Sequence, residues 1–370
     1  MRSPRRKGRA ARFSAVTAVL LVLGLTVGCS SSASSQPGMA KSSASAIKIW
    51  FSNPCYTCTT RWQDFDTPDF KAAVHNLDPN ATVLVSNAND STVQQVSQGE
   101  AAITNGANVL VINTIESESM NPVIQQANQQ HIPVIAYDGM TENAKVQFYV
   151  SFNAEAVGEL QAAYLVQHLK HGSTIVLING AQVCSSCIAF KQGAHKVLDP
   201  LFKNGDYKLG YEADTANWLP ANAQLETEEA LTRLHDNVQG ILAANDALAG
   251  GVIAALKERG LLGRVLVTGQ DATVAGLQDI VRGWQSMSIF KNFAWEATAA
   301  AKAAIALAQG RTAAVAGATT TVGNGVEQVP SVVFRPQIVD KANMLQILIP
   351  AHYVTRAQIC AGFPAGQCLP

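Results

Sequence analysis

Six cysteines of this sequence are spaced so that they could form disulfides, act as redox sites or bind a metal. They fall into three close pairs, Cys55 with Cys58, Cys184 with Cys187, and Cys360 with Cys368. The first two pairs are Cys-x-x-Cys motifs, a spacing typical of local disulfides, of thiol–disulfide redox sites and of zinc ligands. Pairing by proximity predicts three disulfides formed in an oxidising compartment, although proximity alone does not fix the connectivity.

Short polar side chains follow several apolar runs. They are Asn53, Tyr137 with Asp138, Asn179 with Gly180, Asn245 with Asp246, and Gln270 with Asp271. Amide and carboxylate groups donate or accept hydrogen bonds in fixed directions, which is what a site must offer to replace the hydration shell of a neutral polyol. These residues therefore predict a polar binding site, provided that the fold brings them together.

The apolar runs themselves predict an α/β fold. Strands are predicted at 47–52, 82–86, 109–113, 133–137, 174–178, 240–244, 265–268 and 287–290. Helices are predicted between them, for example at 92–105 and 155–170. Strand–helix alternation predicts parallel sheets with right-handed crossovers, and ligands of such sheets bind beyond the carboxyl ends of the strands. The polar residues above lie at those ends.

The N-terminus has the pattern of an export signal. Basic residues precede an apolar run at 15–27, which ends in Leu25-Thr26-Val27-Gly28-Cys29. This end resembles a bacterial lipobox, so we expect a lipoprotein signal peptide over 1–28, lipidation of Cys29 and a Ser/Ala-rich tether over 29–44. The protein would then be exported and anchored by lipid to the outer face of the bacterial cytoplasmic membrane.

Composition excludes several classes of protein. Acidic and basic residues balance at 27 each, so no nucleic-acid partner is expected. No Ser/His/Asp or paired-carboxylate arrangement can be assigned, and His195 and His235 lie in predicted helices, so no enzymatic activity is expected. Residues 45–370 form a longer chain than usually folds around a single hydrophobic core, so two domains are predicted.

Long stretches of the chain resemble the class I periplasmic sugar-binding proteins, and among them the D-xylose-binding branch. They include IPVIAYD ending at Asp138, FYVSFNAEAVGELQA (148–162), GILAANDALAGGVIAAL (240–256) and VTGQDATVAGLQDIVRGWQSMSIFK (267–291). The resemblance implies two Rossmann-like lobes with parallel sheets, joined by a three-strand hinge as in type I periplasmic binding proteins. It places the first lobe at 45–150 plus 294–330, the second at 151–293 plus 331–350, and a tail at 351–370.

The same resemblance implies a function. The protein would bind a monosaccharide, a pentose such as xylose or a related polyol, between the lobes and present it to the permease of an ABC importer. It would act as a monomer without a cofactor or metal. A ligand sensor for a membrane signalling receptor would bind in the same way and is the alternative.

Ligand-binding residues follow from the resemblance position by position. They are Arg61, Trp62, Asp138, Asn153, Ser185, Trp218, Asn245, Asp271 and Lys291. Asp246 is expected to be the N-cap of a helix instead. The chain departs from the family where Gly139 replaces an arginine and Ser185-Ser186 replaces an asparagine pair, which puts D-xylose itself in doubt.

The two Cys-x-x-Cys motifs are expected on loops of opposite lobes, facing each other across the cleft. Four thiolates there could bind zinc or act as a thiol site. Two local disulfides that stiffen the loops are the interpretation that an oxidising compartment favours.

Overall fold

The computed structural model of the protein describes residues 46–364, 366, 368 and 369. The predicted signal peptide, Cys29 and the tether lie outside them. Within these residues the strands are β1 (Lys48–Asn53), β2 (Thr82–Asn87), β3 (Val109–Ile112), β4 (Val134–Tyr137), β5 (Phe148–Phe152), β6 (Thr174–Asn179), β7 (Lys208–Asp214), β8 (Gly240–Ala243), β9 (Leu266–Val267), β10 (Met287–Phe290), β11 (Thr320–Gly323), β12 (Gln328–Phe334) and β13 (Gln337–Asp340).

Helices connect most of these strands. They are α1 (Thr67–Leu77), α2 (Thr92–Thr104), α3 (Asn121–Gln129), α4 (Ala154–His168), α5 (Ser185–Lys203), α6 (Pro220–Arg233), α7 (Asp246–Glu258), α8 (Val274–Arg282), α9 (Phe293–Ala308), α10 (Ala313–Ala316), α11 (Met344–Leu348) and α12 (Arg356–Ile359). A single π-helical turn, Trp62–Asp66, precedes α1.

The first sheet has seven strands in the order β11-β12-β5-β4-β3-β1-β2. All neighbours are parallel except β11 with β12. Successive residues of β1 point to opposite faces, so Trp50 joins one buried hydrophobic cluster and Phe51 the other. Because helices cover both faces, strands such as β3 and β4 are buried along their whole length.

The second sheet has four parallel strands in the order β7-β6-β8-β9. Strand β10 pairs antiparallel with β13, and Ile289 of β10 forms a parallel bridge with Gln270, just beyond β9. The architecture is thus two layered α/β lobes, and the predicted fold class is confirmed. Strand β7 was not predicted because it is a partly exposed edge strand whose apolar residues, Leu209, Tyr211 and Ala213, alternate with other residues and form no continuous run.

The chain passes between the sheets after β5, after β10 and after β12. Strand β12 pairs with β5 up to Phe334 and Phe152. Residues 151–152 and 331–334, which the sequence analysis assigned to the second lobe, therefore lie in the first sheet, because parallel pairing holds both strands there. The other lobe bounds remain a prediction.

Helices α4 and α5 contact each other backbone to backbone through two glycines. A Cβ atom on Gly193 would lie 2.0 Å from the carbonyl oxygen of Glu155, and one on Gly158 would lie 1.9 Å from that of Phe190. We expect Gly193→Ala to lower the free energy of unfolding by about 1–3 kcal/mol, because the helices must separate to admit the methyl group. Urea denaturation measures this loss.

Gly250 provides the matched control for this substitution. It also lies within a helix, α7, but a Cβ atom there would have no neighbour within 4 Å. Gly250→Ala is expected to leave stability unchanged or to raise it by up to about 1 kcal/mol through helix propensity. Equal losses in both variants would contradict the close-packing argument.

Among the residues that the structure describes, no helix combines the length and the apolar composition that a bilayer span requires.

Candidate ligand-binding site

A cavity of about 590 Å³ lies at the carboxyl ends of the strands of both sheets. From the side of the first sheet it is lined by Pro54, Cys55, Cys58, Thr59, Arg61, Trp62, Asp90, Ser91, Thr92, Asn113, Thr114, Ile115, Glu116 and Asp138. From the other side it is lined by Ala181, Gln182, Val183, Cys184, Ser186, Cys187, Phe190, Asp214, Ala216, Asn217, Trp218, Asn245, Gln270, Asp271 and Lys291. Seven of the nine predicted ligand-binding residues line it, all except Asn153 and Ser185.

Arg61 is the buried cation on the side of the first sheet, and its side chain is 2% exposed. Its Nε donates to Asp66 Oδ2 at 2.9 Å, and its Nη2 donates to Asp66 Oδ1 at 3.0 Å and to Glu296 Oε2 at 2.8 Å. Its Nη1 donates to Asp138 Oδ1 at 2.7 Å. Four of the five guanidinium N–H groups are thus used within the protein, and one on Nη1 is left for a ligand.

Asp138 is held in the left-handed backbone region, with φ 60°. Its carbonyl oxygen accepts hydrogen bonds from the hydroxyls of Ser151 at 2.6 Å and Tyr149 at 3.1 Å. Burial alone would raise the pKa of Asp138, but the charges of Arg61 and Lys291 and the hydrogen bond from Arg61 outweigh it. Its pKa therefore lies below the ordinary value, and the carboxylate stays ionised as an acceptor for ligand hydroxyls.

Asp271 and Lys291 form the corresponding pair on the other side of the cavity. Both are buried, and Lys291 Nζ lies 2.9 Å from Asp271 Oδ1. This oxygen has the ion-pair contact but accepts no hydrogen bond from any described residue. Gln270 Oε1 and Asn113 Nδ2, both buried in the cavity wall, likewise have no partner among the described residues. Three residues that line the cavity thus each have a buried polar atom without a hydrogen-bond partner among the described residues.

Asn245 begins helix α7, and its Oδ1 accepts from Leu248 N at 2.9 Å. The prediction that Asp246 is this N-cap is wrong, because Asp246 is the first helical residue. Its carboxylate turns inward and accepts from Gln285 Nε2 at 2.8 Å and Ser288 Oγ at 2.7 Å. Burial raises the pKa of Asp246 to about 7, while these hydrogen bonds act in the opposite direction.

Two tryptophans line the cavity in different ways. Trp62 is covered by the guanidinium of Arg61, whose Cζ lies 4.1 Å from the ring centroid. Trp218 lies over Gly180, where a Cβ atom would be 2.0 Å from the indole, and it makes an edge contact with Phe190 at 6.5 Å. An indole face can pack on the C–H face of a sugar ring, and the absence of a side chain at Gly180 is what lets Trp218 occupy its position.

The two predicted residues that do not line the cavity have other contacts. Asn153 is exposed and caps α4, since its Oδ1 accepts from Ala156 N at 3.0 Å. Ser185 Oγ accepts from Met140 N at 2.8 Å and donates to Met140 O at 3.1 Å. Together with a bond from Ser117 N to Val183 O at 3.0 Å, this pair joins loops of the two sheets. We call these the rim bonds; they hold the cleft closed in this structure.

Sequence reasoning missed several lining residues. Asn113 ends a predicted strand, so the rule that ligands bind at strand ends could have found it. Asp214 is the last residue of β7, which was not predicted, and Phe190 lies within helix α5 and not on a loop. Glu116 is exposed in the loop after β3 and carries no local signal.

The four cavity cysteines are paired within their motifs. Disulfides join Cys55 to Cys58 and Cys184 to Cys187, and a third joins Cys360 to Cys368. Both motifs line the same cavity from opposite sides. A zinc site would need four free thiolates there, and the sulfur atoms are in disulfides instead. Among the described residues no cluster of three or more His, Cys, Asp or Glu side chains has metal-binding geometry.

Two sheets whose strand ends enclose a polar cavity define a two-lobed binding protein for a small ligand. The sequence profile of the periplasmic binding protein domain matches residues 51–312. The chain is 38% identical over 289 residues to the D-xylose-binding periplasmic protein of Escherichia coli (strain K12), covering 78% of this chain and 86% of that protein. It is 37% identical over 279 residues to the D-xylose-binding periplasmic protein of Haemophilus influenzae, covering 75% and 83%.

A solved structure is similar over nearly its whole length. It is a carbohydrate transporter solute-binding protein from Chloroflexus aurantiacus in complex with D-glucose, with a TM-score of 0.78 and 27% identity, covering 85% of this chain and 98% of that one. The chain belongs to the periplasmic binding protein family and has its type I fold. These relatives are binding proteins and not enzymes.

Proposed function

We propose that the protein is the extracytoplasmic solute-binding component of an ABC sugar importer. Its ligand is a monosaccharide, a pentose such as xylose or a related polyol. The observation that carries this proposal is the pair Asp138 and Asp271, one carboxylate from each lobe facing the same cavity. A sugar between them can donate hydroxyls to both lobes at once, which stabilises the closed form.

The other lining groups suit the same class of ligand. Asn113 and Asn245 add side-chain amides, and Trp218 adds an apolar face. The relatives named above bind D-xylose and D-glucose, which supports a sugar but does not select one. Gly139 leaves the space after Asp138 without a side chain, so the ligand contacts there differ from those of an arginine-bearing relative.

A thermal-shift screen of residues 45–370, purified with its disulfides formed, tests the proposal. Pentoses, hexoses, polyols and zinc chloride are added separately. A ligand at 100 times its Kd adds about 2.7 kcal/mol of stability, so one sugar series should raise the Tm by several degrees. A response to zinc alone in reduced protein, or no response to any sugar, would overturn the proposal.

The affinity for that sugar is expected to be constant between pH 5 and pH 8 as far as Asp138 determines it. Its pKa lies below the ordinary value of about 3.9, so it gains a proton only below this range. Protonation would remove an acceptor, so binding should weaken as the pH falls below about 4. Isothermal titration at pH 4, 5, 6.5 and 8 measures this. A tenfold loss between pH 8 and pH 5 that Asp138→Asn abolishes would contradict it.

We further propose that Cys29 carries a lipid anchor and that the permease of the importer is the partner of the closed form. Cys29→Ser is expected to move the protein from the membrane fraction to the soluble extracytoplasmic fraction, because the acyl chains would no longer be attached. Fractionation of cells that express each form, followed by immunoblotting, shows the distribution. Ser30→Ala is the control and should stay with the membrane.

A further inference from the structure

Both cavity aspartates have a backbone conformation that side-chain-bearing residues rarely adopt. The φ angle is 60° at Asp138 and 92° at Asp271, and it is 46° at Ala272, which follows. Such conformations cost free energy and persist only where the surroundings hold them in place. The turn at 270–273 therefore needs contacts that fix it in the orientation in which Asp271 faces the cavity.

The backbone carbonyl oxygen of each aspartate accepts a hydrogen bond from a tyrosine hydroxyl. At Asp138 the donor is Tyr149 of β5, assisted by Ser151. At Asp271 the donor is Tyr353, whose hydroxyl lies 2.6 Å from the carbonyl oxygen. The first donor belongs to a strand of the sheet. The second belongs to the tail that begins at residue 351, which we call the C-terminal segment and which lies beyond the residues 51–312 that match the family profile.

This C-terminal segment is attached firmly to the second lobe. Its Cys360–Cys368 disulfide closes a short loop. Gln278 Nε2 of helix α8 donates to Gln358 O at 3.0 Å, and the guanidinium of Arg282 lies 4.8 Å from the ring of Phe363. The segment also contributes to one hydrophobic cluster with α8. Tyr353 therefore lies on a segment that is held against helix α8.

The ring of Tyr353 contacts residues from both sides of the hinge. It stacks on Phe65 at 4.5 Å with parallel planes, and Phe65 lies in the π-helical turn Trp62–Asp66, which follows Arg61. It also lies 4.8 Å from Phe290, the residue before Lys291. The ring of Tyr353 therefore contacts the segments that carry Arg61 and Lys291, and its hydroxyl contacts Asp271 itself.

We propose that Tyr353 is a positioning residue for ligand binding, so that the C-terminal segment belongs to the binding machinery without touching the ligand. Its hydroxyl holds the strained turn that points Asp271 into the cavity. Its ring packs between the turn after β1 and the end of β10. The inference rests on the proposed function, because it assumes that the cavity binds a sugar.

Tyr353→Phe tests the inference because it keeps the ring stack and removes only the hydroxyl. The matched control is Tyr207→Phe, since Tyr207 is a buried tyrosine whose hydroxyl also donates to a backbone carbonyl, that of Val166 at 3.0 Å. D-xylose and D-glucose are titrated into wild type and both variants. The affinity of Tyr353→Phe should be about three- to tenfold weaker, and that of Tyr207→Phe should be unchanged even though the Tm falls by a similar amount.

Hydrogen exchange of the ligand-free proteins gives a second, sugar-independent result. The amides of residues 271–273 should exchange faster in Tyr353→Phe than in wild type. Their exchange rates should be unchanged in Tyr207→Phe. If wild type binds neither sugar, exchange alone decides the positioning role, and the thermal-shift screen decides the proposed function. Wild-type affinity together with wild-type exchange in Tyr353→Phe would overturn the inference.

A second variant tests whether the disulfide of the C-terminal segment is needed to hold Tyr353 in place, while the Tyr353 hydroxyl itself is kept. Cys360→Ser with Cys368→Ser opens the disulfide loop but leaves Tyr353 in the chain. We expect weaker D-xylose or D-glucose binding in the same direction as in Tyr353→Phe, together with faster exchange at 271–273. Unchanged exchange in this variant would show that the segment does not need its disulfide to hold the turn and would overturn that part of the inference.

Discussion

Replacing Arg61 by alanine is expected to lower the free energy of unfolding by about 3–5 kcal/mol at pH 8 and to abolish measurable sugar binding. The substitution leaves Asp66, Asp138 and Glu296 without the cation that they share, and removing one partner of a buried ion pair costs this much. Binding fails because Asp138 loses the hydrogen bond that orients it. Urea denaturation and calorimetric titration measure the two effects.

The loss should depend on pH in a defined direction. Burial already raises the pKa of Glu296 well above its ordinary value and raises that of Asp66, even with Arg61 present. Without the cation these values would rise further. A carboxyl whose folded-state pKa is raised stabilises the protein at low pH, and that stability is lost as the pH rises through it. The deficit of Arg61→Ala should therefore be smaller at pH 5 than at pH 8.

Arg233→Ala is the control for removing an arginine. Arg233 is exposed and pairs with Glu229 one helical turn away, so its loss should cost less than about 1 kcal/mol at either pH. A deficit below 1 kcal/mol for Arg61→Ala at pH 8 would show that the buried cluster does not need its cation.

Replacing Asp271 by asparagine should weaken sugar binding by about 1–3 kcal/mol, which is roughly 5- to 150-fold, while the protein stays folded. Asparagine has nearly the same shape and tolerates the positive φ at this position better than alanine does. The change therefore removes the charge that pairs with Lys291 and accepts from ligand hydroxyls, and it leaves the turn in place. Titration calorimetry gives the affinity, and thermal unfolding verifies the fold.

Asp206→Asn is the matched control, because Asp206 lies at the surface of the same lobe and pairs with the exposed His171. Its affinity for sugar should equal that of wild type. Wild-type affinity in Asp271→Asn as well would remove Asp271 from the proposed site.

The fold could be predicted from the sequence because its central strands are buried on both faces. Such strands appear as short apolar runs, and β1, β3, β4, β6, β8 and β10 were located within one residue of their bounds, as were the edge strands β2 and β9. The remaining strands, β5, β7, β11, β12 and β13, were not located in this way. Strand β7 is partly exposed and has no continuous apolar run, and β13 pairs with β10, 47 residues earlier, through contacts that no local pattern encodes.

The site could be predicted as far as it follows the ends of central strands. Asp138, Asn245 and Asp271 were found for this reason. The contributions of Glu296, which reaches Arg61 from helix α9, and of Tyr353, which reaches Asp271 from the C-terminal segment, depend on pairs separated by 235 and 82 residues. Only the folded chain brings such residues together.

The rim bonds between Ser185 and Met140 and between Ser117 and Val183 are made by the protein alone, without any ligand. They therefore stabilise the closed cleft whether it is full or empty. Strengthening them would raise the apparent affinity, because a larger fraction of molecules would already be closed. Weakening them would lower the apparent affinity for the same reason, so part of the binding free energy is set by bonds that the ligand itself does not make.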